Sequence, residues 1–137
     1  MSRIVVRHEE NDRFTIGIGG HTVTVDQPVA AGGDDAGPTP TELYVASLAS
    51  CVGFYAARFL RRRGISTAGL EVDCSFAMSQ GTPARVASID LRVHVPAAIL
   101  PARLKALQRV VEHCTVHNSM RTVPDVRIEL DVGSQVA

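Results

Sequence analysis

The sequence lacks several features that common functional classes need. It has no Trp, two Tyr and four Phe in 137 residues, so a stacking surface for single-stranded nucleic acid is not expected. Its fourteen basic residues are balanced by fourteen acidic ones, which leaves no basic excess to neutralise phosphates. The composition therefore argues against a protein that binds nucleic acid.

Long apolar runs are also missing. The first ten residues include Arg3, Arg7 and Glu9, a pattern unlike the apolar stretch of a secretory signal. The longest uncharged run, residues 43–57, is shorter than the roughly 20 residues that span a bilayer. We therefore expect a cytoplasmic protein with no membrane segment, and the length predicts one domain over residues 1–137.

Cysteine is scarce, and its three positions are far apart. Cys51, Cys74 and Cys114 match neither the even-numbered framework of a secreted protein nor the spacing of a zinc finger. His113 and His117 flank Cys114 and leave a metal site open as an alternative, but no second ligand cluster accompanies them. The spacing therefore favours no metal site, and the metal alternative rests on Cys114 and its two neighbouring histidines alone.

Alternating apolar residues predict antiparallel strands, because such strands bury one face only. Three short strands are expected before the Gly- and Pro-rich segment 31–40, two in the middle of the chain, and one at its end. Their predicted bounds are 4–7, 14–18, 21–25, 70–78, 89–95 and 126–132.

Helix signals divide these strands into groups. A capping box at Thr39 and Glu42 predicts a helix start, and Gly64 predicts its end, so a long helix is expected over 40–63. A second helix is expected from Pro101 to about residue 113, with a further helical turn over 115–121. The order βββ-α-ββ-α-β predicts an α+β fold in which a long central helix packs on antiparallel sheets.

Cys51 lies in the middle of the long helix, where two interpretations compete. It is either a reactive thiol in an apolar pocket or a small core residue, and burial alone would disfavour its thiolate. A reactive Cys51 therefore needs a cation, for which Arg13 and Arg58 are candidates. The helical spacing places four candidate substrate-binding residues around it: Tyr44, Leu48, Phe54 and Tyr55.

The other two cysteines differ in their surroundings. Cys114 ends the apolar stripe of the second helix. Three interpretations compete for it: a core residue, a redox partner of another cysteine, or the metal ligand considered above. Cys74 alternates with apolar residues in a predicted strand, which favours an inert position in the core.

Three segments resemble motifs of the OsmC/Ohr family, the osmotically inducible protein C and organic hydroperoxide resistance proteins. They are GPTPTEL at 37–43, ASLASC at 46–51 and CTVHNSM at 114–120, and the resemblance, to the OsmC-like branch, extends over essentially the whole chain. It implies an intertwined homodimer with two long central helices, active sites at the dimer interface and no cofactor.

The resemblance also implies a thiol-dependent peroxidase. Cys51 would reduce an organic hydroperoxide to an alcohol and become a sulfenic acid, and Cys114 would condense with it to a disulfide. A dithiol, either a small molecule or a lipoyl-type protein, would regenerate both thiols. The alternative is a non-enzymatic dimer of this family that binds a hydrophobic small molecule.

Two further catalytic residues are implied less directly. The family's peroxidases have a Glu ten residues before the first Cys, where this chain has Thr41, and an Arg from the N-terminal strands. Glu42, one position later, and Arg13 are therefore the candidates for activating Cys51.

Overall fold

Within the part of the chain that the structure describes, the protein has an α+β fold with two antiparallel sheets and three α-helices. The computed structural model describes residues 2–133. The strands are β1 (Ile4–Glu10), β2 (Arg13–Ile18), β3 (His21–Val25), β4 (Glu71–Met78) and β5 (Val86–His94), and the helices are α1 (Pro40–Arg62), α2 (Pro101–Glu112) and α3 (Thr115–Arg121). The predicted fold class is confirmed.

The first sheet has the order β1-β2-β3 and the second consists of β4 and β5. In the first, the hairpin between β2 and β3 turns at Gly19, which has a φ of 57°. Ile4 and Val6 on β1 remain 57% and 55% exposed. One sheet of this protein therefore keeps apolar side chains that no described part of the same chain covers.

Helix α1 begins and ends close to where its capping signals predict. Thr39 Oγ1 accepts from the backbone N–H of Glu42 at 3.1 Å, and Glu42 Oε1 accepts from the N–H of Thr39 at 2.9 Å. At the other end Arg63 is the C-cap and Gly64 follows with a φ of 67°. The two bonds between Thr39 and Glu42 satisfy two of the backbone N–H donors that every helix start leaves without a partner.

A buried carboxylate shapes the loop before α1. Asp26 is 1% exposed and accepts backbone N–H bonds from Gln27 at 2.7 Å, Asp34 at 3.2 Å and Ala36 at 3.0 Å. Its own N–H donates to the carbonyl of Pro38 at 3.1 Å, one residue before the N-cap. Asp26 therefore connects the end of β3 to the start of the helix that carries Cys51.

Most of the core lies on one side of α1, which packs against α2, α3, β4 and β5. By length and composition α1 could cross a membrane, but six of its residues are buried in the protein. The main cluster of buried side chains is Leu48, Val52, Ala56, Phe59, Leu60, Leu107, Val111 and Cys114.

The predicted strand over 126–132 is not formed in the single chain. Residues 123–133 are neither helix nor strand. The apolar positions of this segment are among the most exposed in the protein: Val126 75%, Ile128 84%, Leu130 89% and Val132 68%. The alternation is present in the sequence, but a strand forms only beside another strand edge, and the described chain supplies none there.

Candidate active site

The structure brings Cys51 and Cys114 together, although they lie 63 positions apart in the sequence. Cys51 is half-buried in the middle of α1 and packs against the core cluster, of which the fully buried Cys114 is a member. Cys114 is the N-cap of α3, and its thiol is a neighbour of the Cys51 thiol. The packing of α3 on α1 therefore creates a pair of neighbouring thiols with unequal access to solvent.

Burial raises the pKa of the Cys114 thiol above its ordinary value. The backbone N–H of His117 donates to Cys114 Sγ at 3.4 Å and opposes this effect, while the neighbouring Cys51 thiol adds to it. The net direction is upward. Cys114 is therefore protonated at neutral pH.

A hydrogen bond next to the thiol pair links the two helices that carry it. The Tyr55 hydroxyl lies 2.9 Å from Thr115 Oγ1. Tyr55 is one turn beyond Cys51 on α1, and Thr115 directly follows Cys114. This contact fixes the relative position of α1 and α3 where the thiols meet.

The four predicted substrate-binding residues do not form one pocket. Tyr44 and Leu48 line a cleft of about 320 Å³ with Ile89 and Met120. Tyr55 lines a separate cavity, and Phe54 is 52% exposed with its ring edge-on to that of Tyr55, 5.4 Å between centroids. The predicted residues therefore lie in two groups, one on each side of Cys51 along α1.

Glu42 and Arg13 contact residues other than Cys51 in the single chain. Glu42 belongs to the capping box, and at nine residues before Cys51 it lies two and a half turns away, on the opposite side of α1. Arg13 pairs with Glu10 at 3.4 Å, and its charge helps to lower the pKa of Asp26. The activation of Cys51 by these two residues stays a prediction.

The remaining candidates from the sequence are Cys74 and the metal ligands around Cys114. Cys74 is half-buried on β4 rather than part of the core, and burial together with Asp73 and Asp90 raises the pKa of its thiol. Among residues 2–133, no three His, Cys, Asp or Glu side chains converge as metal ligands. The ligand set considered for Cys114 therefore has no geometric support in the described chain.

Sequence reasoning identified the thiol pair through motifs but missed parts of its surroundings. The Tyr55 to Thr115 bond and the N–H of His117 depend on how α3 packs against α1, for which the sequence contains no local signal. Arg58, considered only as a cation for Cys51, stacks on two rings, with its guanidinium carbon 4.8 Å from the Tyr55 centroid and 5.2 Å from that of Phe54.

Most of the chain matches one known protein family. Residues 32–129 match the family described as OsmC-like protein. No curated protein matches the sequence.

Solved structures share the fold at low sequence identity. A candidate osmotic stress induced and detoxification response protein from Psychrobacter arcticus 273-4 is 22% identical, with a TM-score of 0.79 over 87% of this chain and 88% of that one. An OsmC-like protein from Mycoplasma pneumoniae is 19% identical, with a TM-score of 0.71 over 90% and 89%. The organic hydroperoxide resistance protein OhrB of Bacillus subtilis is 18% identical, with a TM-score of 0.61 over 96% and 98%.

Proposed function

The chain belongs to the OsmC-like protein family, and from this membership we propose that it is a thiol-dependent peroxidase that reduces organic hydroperoxides to alcohols. The observation that carries the proposal is the pair of adjacent thiols, one half-buried and one fully buried. A structural neighbour with 18% identity is an organic hydroperoxide resistance protein.

The unequal exposure of the two thiols supports a division of roles. Cys51 is the thiol that a hydroperoxide from solution reaches first, whereas Cys114 has no exposed surface. The raised pKa of Cys114 keeps its proton in place, which leaves Cys114 the less nucleophilic thiol of the pair. Cys51 is thus the attacking thiol and Cys114 the resolving one.

The proposed cycle has three balanced steps. The Cys51 thiolate attacks the O–O bond of the hydroperoxide, which gives Cys51 sulfenic acid and an alkoxide that takes a proton and leaves as the alcohol. The Cys114 thiol then attacks the Cys51 sulfur, which forms a disulfide and releases water. A dithiol, from a small molecule or a lipoyl-type protein, reduces this disulfide by exchange and is itself oxidised.

The proposal includes a cytoplasmic homodimer. The exposed apolar side chains of β1 and of residues 123–133 support a second copy as their cover. Arg13 and Glu42 contact other residues in one chain, so their proposed action on Cys51 depends on their reaching the Cys51 of the partner copy.

The proposal is tested by comparing single cysteine variants. Wild type should consume cumene hydroperoxide in the presence of dithiothreitol, and Cys51→Ser should not. Cys114→Ser should accumulate a Cys51 sulfenic acid that dimedone traps and mass spectrometry detects. Cys74→Ser is the matched control, because Cys74 lies on β4 and outside the thiol pair, and it should retain the wild-type rate.

Equal consumption by wild type and Cys51→Ser would overturn the peroxidase proposal. The remaining candidate would then be a non-enzymatic dimer that binds a hydrophobic molecule. The apolar cleft beside Tyr44 and Leu48 would be the first place to look for that ligand.

A further inference from the structure

A cationic cavity lies at the carboxyl-terminal end of α1, beyond the thiol pair. It has a volume of about 340 Å³. Its lining includes Tyr55, Arg58, Phe59, Arg62, Arg63 and His113, and no Asp or Glu of residues 2–133 contributes to it. Three guanidinium groups therefore share one concave space with two aromatic rings.

Two of these arginines are held in place by stacking. The guanidinium carbon of Arg58 lies 4.8 Å from the Tyr55 ring centroid, and that of Arg63 lies 3.5 Å from the Phe59 centroid. Arg63 also donates to the carbonyl of Phe59 at 3.2 Å. Stacking occupies the face of a guanidinium and leaves most of its N–H groups free at the edge.

The arginines of the cavity have no acidic partner in the described chain. The ion pair found among residues 2–133 joins Arg13 to Glu10, far from α1 in sequence. Fixed guanidinium groups without a carboxylate partner are suited to bind an anion, and a planar carboxylate accepts two parallel bonds from such a group.

The cavity lies on the same face of α1 as Cys51, one to three turns beyond it, although neither thiol lines it. Tyr55, Arg58 and Arg62 follow Cys51 at four, seven and eleven residues, which places them along one face of α1. At 1.5 Å per residue, Arg58 lies about 10 Å beyond Cys51 along the helix axis. The cavity lining also includes His113, which directly precedes Cys114 in the sequence.

We propose that this cavity binds the carboxylate of a small molecule whose other end reacts at Cys51 and Cys114. The aromatic rings contact its apolar body, and the arginines hold its anionic end. This inference rests on the proposed peroxidase function and deepens it, because the carboxylate belongs either to the hydroperoxide or to the dithiol reductant.

The binding site itself can be tested without any redox chemistry. Calorimetric titration of Cys51→Ser with octanoate and with octanamide compares a carboxylate with its neutral isostere. We expect octanoate to bind at least about tenfold more tightly, as charge-assisted hydrogen bonds imply. Adding Arg62→Gln should reduce this preference, because two of the three arginines of the cavity remain. Arg61→Gln removes the same charge from a neighbour outside the cavity lining and should retain the full preference.

Equal binding of the acid and the amide would overturn the proposal. So would an equal loss of the preference in the Arg61→Gln and Arg62→Gln variants, because the effect would then be one of general charge. Failure of the peroxidase function has a separate signature, since wild type and Cys51→Ser would then consume a neutral hydroperoxide equally.

Two pairs of reactants distinguish the sources of the carboxylate. A carboxylate-bearing alkyl hydroperoxide is compared with its methyl ester, and dihydrolipoate is compared with dihydrolipoamide. If the carboxylate belongs to the hydroperoxide, the acid of the first pair should have a lower KM than its ester, and Arg62→Gln should reduce the difference. If it belongs to the reductant, the same result is expected for dihydrolipoate in the second pair. If neither pair shows this difference, the proposed link between the cavity and the thiol pair is wrong.

Discussion

Asp26 is the charged residue most deeply buried in the described chain, and it acts through backbone groups. Its two oxygens accept N–H bonds from Gln27, Asp34 and Ala36, and the bond from Ala36 is the main reason that its pKa is lowered. We expect Asp26→Asn to lower the free energy of unfolding, because an amide has one acceptor oxygen where the carboxylate has two. Urea unfolding at pH 7 measures this loss.

The contribution of Asp26 to the free energy of unfolding should decrease as the pH falls. A lowered pKa in the folded state means that the contribution of Asp26 to stability is complete above its ordinary pKa of 3.8 and is lost as the pH falls through the folded value. The stability difference between wild type and Asp26→Asn should therefore shrink as the pH falls below about 4. Asp34→Asn, in the same loop, is the control, and an Asp26→Asn difference that stays constant with pH would contradict the assignment.

Gly37 shows a second requirement of the same loop, a close approach of two backbone segments. A Cβ at this position would overlap the carbonyl oxygen of Thr24. We expect Gly37→Ala to cost about 1–3 kcal/mol in the free energy of unfolding, since backbone atoms must shift to make room. Gly20→Ala is the matched control, because a methyl group there would meet no atom of the described chain within 4 Å, and its effect should stay within about 0.5 kcal/mol in urea unfolding.

At the scale of the element, substitutions at the start of α1 distinguish two roles of Glu42, which are capping of the helix and activation of Cys51. If capping is its role, Thr39→Ala and Glu42→Ala should each cost about 1 kcal/mol, whereas Glu42→Gln should retain stability because Gln also closes a capping box. Thermal and urea unfolding measure these differences. Equal destabilisation by Glu42→Gln and Glu42→Ala would contradict the capping role. A loss of hydroperoxide consumption in a fully stable Glu42→Gln variant would reveal the additional catalytic role that the family resemblance predicts.

Signals confined to one element predicted those elements well. The capping box and Gly64 gave the bounds of α1 to within one residue, and alternation gave β4 and β5 to within a few. Such signals depend on residues within one or two turns of each other, so the sequence contains everything that they need.

Features that depend on residues far apart in the sequence were harder to predict. The contact between Cys51 and Cys114 followed from the motifs of a known family and not from any periodicity. The division of Tyr44 and Tyr55 between two cavities depends on how β5 and α2 pack against α1, which no helical spacing reveals. The last predicted strand failed for a related reason, because alternation indicates a half-buried strand without indicating which chain supplies its neighbour.

At the scale of the whole molecule, the single chain leaves two apolar surfaces uncovered. One is the face of β1 that carries Ile4 and Val6, and the other is the segment around Ile128 and Leu130. Burying a side chain such as Ile or Leu stabilises a protein by about 1.5–3 kcal/mol, so leaving both surfaces in water forgoes a large stabilisation. A second copy that covers both would recover this energy and give residues 126–132 a strand edge on which to form.

The proposed dimer therefore predicts that the two faces of this segment differ in importance. Ile128→Asp combined with Leu130→Asp should weaken self-association by at least about 3 kcal/mol, or about a hundredfold in Kd, because both apolar side chains leave the interface. Arg127→Ala combined with Glu129→Ala alters the alternate face and should leave the dimer intact. Sedimentation equilibrium measures both variants. A wild-type protein that stays monomeric at micromolar concentration would contradict the dimer, and a doubly substituted Asp variant that dimerises like wild type would exclude this segment from the interface.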